Sequence, residues 1–342
     1  MKLPSNLLVL KELGKGNFGK VILCRNIHLD KLEAVKIIEP DSTNPKQIEH
    51  NIFESQVLEY LKKSDFIVDI YDASFIGDDF MIKMEYLELG SLEGKKNISI
   101  KELLKISEHI SYALEHAHNN HILHLDIKPG NILIKEEFSY KLSDFGLSNI
   151  KNSEGESRYK GIYNLNKPPE YLENAANPTI QTDIYMLGVT LYRLINGDVH
   201  YLRQLIKGNR EELILKGKFP DRKKYLLHIP KKIKKIINKL INIDLEKRYK
   251  TIKEFRKDII KLNLKYFWNP IRFNGNEIMS ESFNNAGEQV FNLHAIYNKS
   301  GWTIDLKKHH KSSIIRVTKY CKKGLTFNEL EKQLTKIFSE II

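Results

Sequence analysis

Cysteine is nearly missing: Cys24 and Cys321 are the only two, which excludes a disulfide framework and is the pattern expected of a reduced, cytoplasmic protein. No run of 18 apolar residues occurs, so no membrane-spanning helix is expected. The first residues, Met1-Lys2-Leu3-Pro4-Ser5-Asn6, lack the apolar core of a secretory signal. Internal repeats and low-complexity tracts are absent as well. Acidic residues are in deficit, with 43 Asp and Glu against 55 Lys and Arg, a formal net charge of +12. The excess runs through the whole chain and is not gathered in one tail. It favours acidic partners such as nucleotides, acidic substrates or nucleic acid, although a Lys/Ile/Asn-rich composition produces the same balance without such a partner.

A hydrophobic content of 41% and a charged content of 29% describe an ordinary globular chain. Its length accommodates a two-lobed body of about 250 residues with a small appendage. Residues 7–38 read as strands around a Gly-rich turn: Leu8 to Leu13, Lys20 to Arg25 and Ala34 to Ile38. Ile48, Ile52, Phe53, Val57, Leu58 and Leu61 recur at a helical period. Ile67 to Tyr71 and Phe80 to Met84 read as further strands. Beyond Gly90 the pattern turns helical. Ser99-Ile100-Lys101-Glu102 is a capping box that opens a helix running to about His118. Ile184 to Ile195 is apolar on nearly every face, as a buried helix is, and Asn196-Gly197 stops it. Ile233, Ile236, Ile237, Leu240 and Ile241 form an apolar stripe flanked by lysines, which reads as a packed helix with a solvated basic face. Trp268-Asn269-Pro270 and the Asn/Gly/Ser-rich stretch at 274–287 suggest a break. Alternation at Val290 to Tyr297, Trp302 to Leu306 and Ser313 to Tyr320, then a capping box at Thr326-Phe327-Asn328-Glu329, predict a compact βββα unit.

Three clusters carry chemistry. Gly14-Lys15-Gly16-Asn17-Phe18-Gly19-Lys20-Val21 is a Gly-x-Gly-x-x-Gly, weak on its own. A dinucleotide fold wants a helix directly after it. Here a strand follows, which argues for a hairpin lid over phosphates, glycines allowing close backbone approach. Lys36 lies on an apolar strand in Ala34-Val35-Lys36-Ile37, and Glu54 follows at the rim of the apolar face of the next helix. The deciding cluster is His124-Leu125-Asp126-Ile127-Lys128-Pro129-Gly130-Asn131, with Asp144-Phe145-Gly146 after it. Phosphoryl transfer needs a carboxylate for the proton of the attacking hydroxyl, oxygen ligands for magnesium and a cation near the moving charge. Asp126, Asn131 with Asp144, and Lys128 supply these in turn.

Over residues 7–262 the chain resembles the eukaryotic-type Ser/Thr protein kinase family, and the motifs stand in the family's order. The resemblance implies an α+β, bilobal protein-kinase fold: an N-lobe of antiparallel sheet plus one helix, and a mainly helical C-lobe. Residues 263–284 would then be a linker, and 285–342 a small C-terminal βββα domain of unknown role. It implies an ATP- and Mg²⁺-dependent transferase acting on Ser/Thr of protein substrates, its own chain included. Gly14, Lys15, Gly16, Asn17, Phe18 and Gly19 would cover the phosphates. Val21, Ala34 and Leu133 would enclose adenine. Met84 would stand at the gatekeeper position, with Glu85, Tyr86 and Leu87 as the hinge. Lys36, paired with Glu54, would hold the α- and β-phosphates. Asp126 would be the catalytic base, Lys128 would neutralise the γ-phosphate, and Asn131 and Asp144 would bind Mg²⁺. His124 would be a structural residue packed under Phe145, in one stack with Leu58. Asp183 to Gly188 would be a structural anchor, and Glu170 would pair with Arg248.

Two departures stand out. Leu125 occupies the place of the family's Arg before the catalytic Asp, so activity independent of activation-loop phosphorylation is expected. The stretch from Gly161 to Glu170 is one residue longer than usual and has Ile162 where a Thr shapes the acceptor site, which leaves the Ser/Thr preference resting on Lys128. Ser148, Ser153, Ser157 and Tyr159 are candidate phosphosites on that loop. His309-His310, in a basic turn without further ligand-type residues, reads as solvated and not as a metal site. Two other readings are a pseudokinase scaffold and a small-molecule kinase. Scaffolds commonly lose Lys36, Asp126 or Asp144, and none is lost. Small-molecule kinases of the aminoglycoside or choline type generally lack the Asp-Phe-Gly with its Pro-Glu segment, and both are present. The basic C-terminal unit leaves nucleic acid open as a partner.

Overall fold

The computed structural model describes residues 3–16, 19–38, 61, 64–145, 149–150, 166–174, 178–207, 209–310 and 313–341. The chain divides into two compact units. One comprises Met1–Glu93, His109–Lys167 and Asn174–Met186; the other comprises Gly94–Glu108, Pro168–Glu173 and Leu187–Ile342.

The first unit begins with a five-stranded antiparallel sheet of β1 (Leu7–Gly16), β2 (Gly19–Asn26), β3 (Lys31–Ile38), β4 (Ile70–Ile76) and β5 (Asp79–Glu85) in the order β1-β2-β3-β5-β4. Its two faces differ because successive side chains on a strand point opposite ways. Leu7, Ile22, Cys24, Val35, Ile37 and Met81 form an apolar cluster on one face. The other face presents Val21 opposite Lys36 and Ala34 opposite Met84. The strand expected at Ile67 to Tyr71 starts later, at Ile70. Phe66 and Val68 are instead tied to Leu142: Leu142 N–H donates to Phe66 O at 2.8 Å, and Val68 N–H to Leu142 O at 3.0 Å. The helix expected over 48–61 lies outside the described residues except for Leu61.

Helix α1 (Ile100–Asn119) starts at its expected box: Glu102 N–H donates to Ser99 Oγ at 3.2 Å, and Ser99 N–H donates to Glu102 Oε2 at 3.0 Å. Two short ladders follow: β6 (Ile122–Leu123) with β9 (Asn149–Ile150), and β7 (Ile132–Glu136) with β8 (Ser139–Leu142). Next come α2 (Pro169–Asn174) and α3 (Ile180–Asn196).

In the second unit the later turns of α3 are joined by α4 (Asp198–Leu202), α5 (Arg210–Leu215), α6 (Lys231–Leu240) and α7 (Ile252–Ile260). A Cβ at Gly188 would lie 2.6 Å from Leu240 Cβ and 2.7 Å from Ile241 Cγ2, so only glycine lets α3 approach α6 this closely. The apolar stripe of α6 is buried at Ile233, Ile236, Ile237 and Leu240. Residues 263–284, expected to link, carry β10 (Phe267–Trp268), β11 (Arg272–Asn274) and β12 (Glu277–Phe283). These strands share a seven-stranded sheet with β13 (Gln289–Asn298), β14 (Gly301–His310), β15 (Ser313–Arg316) and β16 (Lys322–Leu325). Two physical reasons hid them. Ser280 and Ser282 sit at inward positions of β12 and are fully buried, so the apolar alternation breaks where the strand runs on. Pro270 falls between β10 and β11, where no ladder bond is needed. The third expected strand, Ser313 to Tyr320, ends at Arg316 and passes through a 3₁₀ turn at Thr318–Tyr320.

Helix α8 (Phe327–Glu340) closes one face of this sheet, with Leu330, Leu334, Ile337 and Phe338 inward. Its capping box forms as expected between Thr326 and Glu329. Trp268 stacks edge-on against Phe338 at 5.0 Å, and its indole N–H donates to Ile341 O at 2.8 Å. His228 meets the Phe338 ring at 6.4 Å.

Candidate functional site

All the candidate residues described below, the Glu170–Arg248 pair excepted, lie in the first unit. The β1–β2 hairpin closes with Gly16 opposite Gly19. Gly19 has φ +129°, and a Cβ there would sit 2.0 Å from Ile37 O, so the hairpin can lie this close to β3 only with glycine. A Cβ at Gly14 meets nothing within 4 Å among the described residues. Lys15 lies on β1; Asn17 and Phe18 fall outside the described residues, as do Glu54, Leu58, Gly161, Ile162 and the candidate phosphosites Ser148, Ser153, Ser157 and Tyr159.

The register of β2, β3 and β5 gathers Val21, Ala34, Lys36 and Met84 on one face. Glu85 ends β5, and the chain continues through Tyr86 and Leu87 into a turn closed by Gly90 N–H to Leu87 O at 3.1 Å. A bridge between Ser91 and Leu133, with Ile134 N–H to Gly90 O at 2.8 Å, holds the start of β7 beside this segment and fixes Leu133 there.

The floor follows β6. Asp183, fully buried on α3, accepts from the backbone N–H of His124 and of Leu125, each at 2.9 Å, and lies 2.9 Å from His118 Nε2. This grip holds Leu125 at φ +63°, a left-handed conformation costly for a leucine. The Leu125 side chain packs with Leu123 and Ile180 in an apolar cluster. His124 packs against Phe145, the rings tilted with centroids 4.5 Å apart, as expected, and its Nε2 lies 3.1 Å from Ser143 O.

Asp126 comes next. Its Oδ2 accepts from Lys128 Nζ at 2.7 Å and from Asn131 Nδ2 at 2.9 Å. Its Oδ1 is buried and has no hydrogen-bond partner among the described residues. A buried carboxylate oxygen left unpaired is costly unless something else comes to it. A 3₁₀ turn, Pro129–Asn131, turns Asn131 back so that its amide nitrogen also reaches Asp126 O at 2.8 Å. Ser143 N–H donates to Asn131 O at 2.9 Å, which ties the strand leading into Asp144 to the same loop. Asp144 stands at φ +60°, a second non-glycine residue in the left-handed region, and receives Lys36 Nζ on Oδ1 at 2.9 Å.

The two carboxyl groups are tuned apart. Burial raises Asp126 above the usual aspartate value, against the pull of Lys128. Burial also works on Asp144, but the Lys36 charge and hydrogen bond outweigh it and hold its pKa below the usual value. A raised and a lowered carboxyl side by side is an arrangement suited to proton handling beside cation binding.

One residue escaped the sequence reading. Lys141 on β8 is buried, and its Nζ donates to Glu85 Oε2 at 2.6 Å and Asp69 Oδ2 at 3.2 Å. Burial disfavours its charge, yet Glu85 and then Asp69 outweigh that and raise its pKa. The brace ties β8, two residues from Ser143, to the end of β5. The available signal was a lysine inside the apolar strand Tyr140-Lys141-Leu142, a place where a charge needs a partner.

In the second unit Arg248 and Glu170 form the expected pair, bidentate at 2.7 and 3.0 Å, with Arg248 Nε also donating to Asn242 O at 2.9 Å. Arg248 is fully buried, and losing one partner of such a pair costs about 3–5 kcal/mol.

Residues 7–258 match the family model described as a protein kinase domain, and the chain belongs to that family. It is 31% identical to the serine/threonine-protein kinase PrkC of Bacillus subtilis (strain 168) over 264 residues, 73% of this chain and 39% of the relative. It is 32% identical to the serine/threonine-protein kinase PknK of Mycobacterium bovis over 204 residues, 57% of this chain and 18% of that protein. It is 27% identical to a carbon catabolite-derepressing protein kinase of Secale cereale over 272 residues, 74% of this chain and 50% of that one. The chain thus spans half or less of the curated relatives it matches. No helix among the described residues is long and apolar enough to cross a membrane.

Proposed function

We propose that this chain is an ATP- and Mg²⁺-dependent protein kinase that transfers the γ-phosphoryl group to Ser or Thr hydroxyls of proteins, with its own chain among the acceptors to be tested. The reading rests on one observation above all: one oxygen of Asp126 is held by Lys128 and Asn131, while the other is buried without a partner among the described residues. That oxygen is where an acceptor hydroxyl would be held and its proton received. The raised Asp126 pKa makes the carboxylate a better acceptor than an exposed aspartate, and activity should fall at low pH from above the ordinary aspartate range.

The residues at this site fit Mg²⁺ and a nucleotide triphosphate. Asn131 commits its amide nitrogen to Asp126, which leaves its side-chain oxygen, with the Asp144 carboxylate, as the all-oxygen set that Mg²⁺ prefers. Mg²⁺ bound there would neutralise charge on the phosphates. Lys36 and Lys128 would add cations, and Gly14 would let the backbone approach the phosphates beside Gly16 and Gly19. Val21, Ala34, Met84 and Leu133 would line the adenine face, with Glu85 and Leu87 offering backbone groups. Two cysteines without a disulfide suit a reducing, cytoplasmic setting.

Incubation with labelled ATP and Mg²⁺, wild type beside Asp126→Ala, tests the reading. Label on Ser or Thr that drops steeply in the variant is expected. Equal or absent labelling in both points to a scaffold, and label found only on small metabolites points to a small-molecule kinase. Because Leu125 packs into an apolar cluster, activity should be similar before and after phosphatase treatment; a large rise on phosphorylation would contradict this.

A further inference from the structure

We propose that the outer edge of β15 binds an acidic, extended polypeptide segment as an added strand. Strand β15 is last in the order β10-β12-β13-β14-β15, so one side of its backbone pairs with β14 and no described strand pairs with the other. Proteins ordinarily guard such an edge by keeping it short or with charge, proline or a bulge; β15 is four residues long, and its one charged residue, Arg316, stands at its end. Here the central residues are Ile314 and Ile315, 62% and 53% exposed. They lie opposite His309 and Lys308, on opposite faces of the sheet. An incoming strand would therefore find free backbone groups with an aliphatic side chain on either side, which is the recognition mode of strand addition.

The surrounding charge selects the occupant. Residues 313–323 contain Arg316, Lys319, Lys322 and Lys323 and no acidic residue. Asp305 is shared between Arg316 at 2.6 Å and Lys307 at 3.6 Å, and Lys319 is held by Glu340 at 2.9 Å. Lys322 and Lys323 are exposed and form no ion pair among the described residues. A second copy of this chain would bring the same cations against these and is disfavoured. An acidic segment is attracted. The apolar centre and the lack of an aromatic side chain on β15 favour a polypeptide over nucleic acid, which is gripped by stacking and phosphate contacts.

The full chain is titrated into a fluorescent heptapeptide of alternating Glu and Val. Comparators are the same peptide with its central Val replaced by Pro, and an oligouridylate of matched charge. Hydrogen exchange is followed at residues 313–316. The Glu/Val peptide is expected to bind, to slow exchange at 313–316, and to weaken about tenfold on the Pro change and in Ile314→Ser/Ile315→Ser. Lys322→Glu/Lys323→Glu should weaken it similarly. All four positions are exposed, so an unchanged melting curve certifies each variant. Equal affinity for the Pro peptide, tighter oligouridylate binding lost in the same variants, or no peptide binding at millimolar concentration would each overturn the proposal.

Discussion

Around Asp126 the interior collects charge, holds Leu125 and Asp144 in left-handed backbone, and leaves one carboxylate oxygen unpaired among the described residues. Around Trp268 the interior collects aromatic and aliphatic side chains, and the Trp268 indole N–H finds the Ile341 carbonyl. Both regions are buried, and they use burial differently. Hydrophobic packing dominates the C-terminal sheet, whereas the loop of Asp126 is held by polar contacts from Asp183, Asn131 and Ser143. What sets the Asp126 region apart is left-handed backbone at Leu125 and Asp144, strain that the surrounding structure over-determines.

The sharpest test of that contrast is Asp126→Ala. Phosphoryl transfer should fall about 10²–10⁴-fold while thermal stability changes little, because the variant removes a carboxylate that is itself incompletely satisfied. A large loss of stability with transfer intact would invert the comparison. Phe338→Ala should do the reverse in kind, costing about 3–5 kcal/mol in denaturant unfolding because Trp268 and His228 lose their neighbour.

Acid should find the second region through His228. This histidine is fully buried, with no hydrogen-bond partner on either ring nitrogen among the described residues, and burial, with a smaller push from Lys234, lowers its pKa to about 4. A base with a depressed folded pKa takes up its proton more readily when unfolded. Stability should therefore fall as pH drops below about 6.5 and level off below about 4, by roughly 3 kcal/mol in all. A His228→Phe variant should lose that part of the pH dependence, measured by urea melts across pH; an unchanged profile would show the histidine to be irrelevant to it. The smallest effect belongs to the α8 cap. Thr326→Ala should cost about 1 kcal/mol, since Glu329 N–H then loses its acceptor.

Much of the site was legible in the sequence because its chemistry depends on residue types at fixed short spacings. Asp126, Lys128 and Asn131 fall within six residues, and a single loop brings them together. The Ser99 and Thr326 caps were legible for the same reason, being local. Lys141 was missed because its partners, Glu85 and Asp69, are distant in the chain. Strands β10 to β12 were missed because Ser280 and Ser282 occupy core positions. Small polar residues can be buried when a neighbour accepts their hydrogen bond, as Asn269 O does for Ser280, but sequence periodicity counts them as outward.

Sequence by itself determined the family, the motif order and the caps, since each rests on contacts within a few residues or on residue chemistry alone. Tertiary structure decided which oxygen of Asp126 stays unpaired, that Lys36 meets Asp144, and that residues 267–283 join the C-terminal sheet. Those outcomes depend on groups separated along the chain competing for the same partners, and only the folded packing fixes the result.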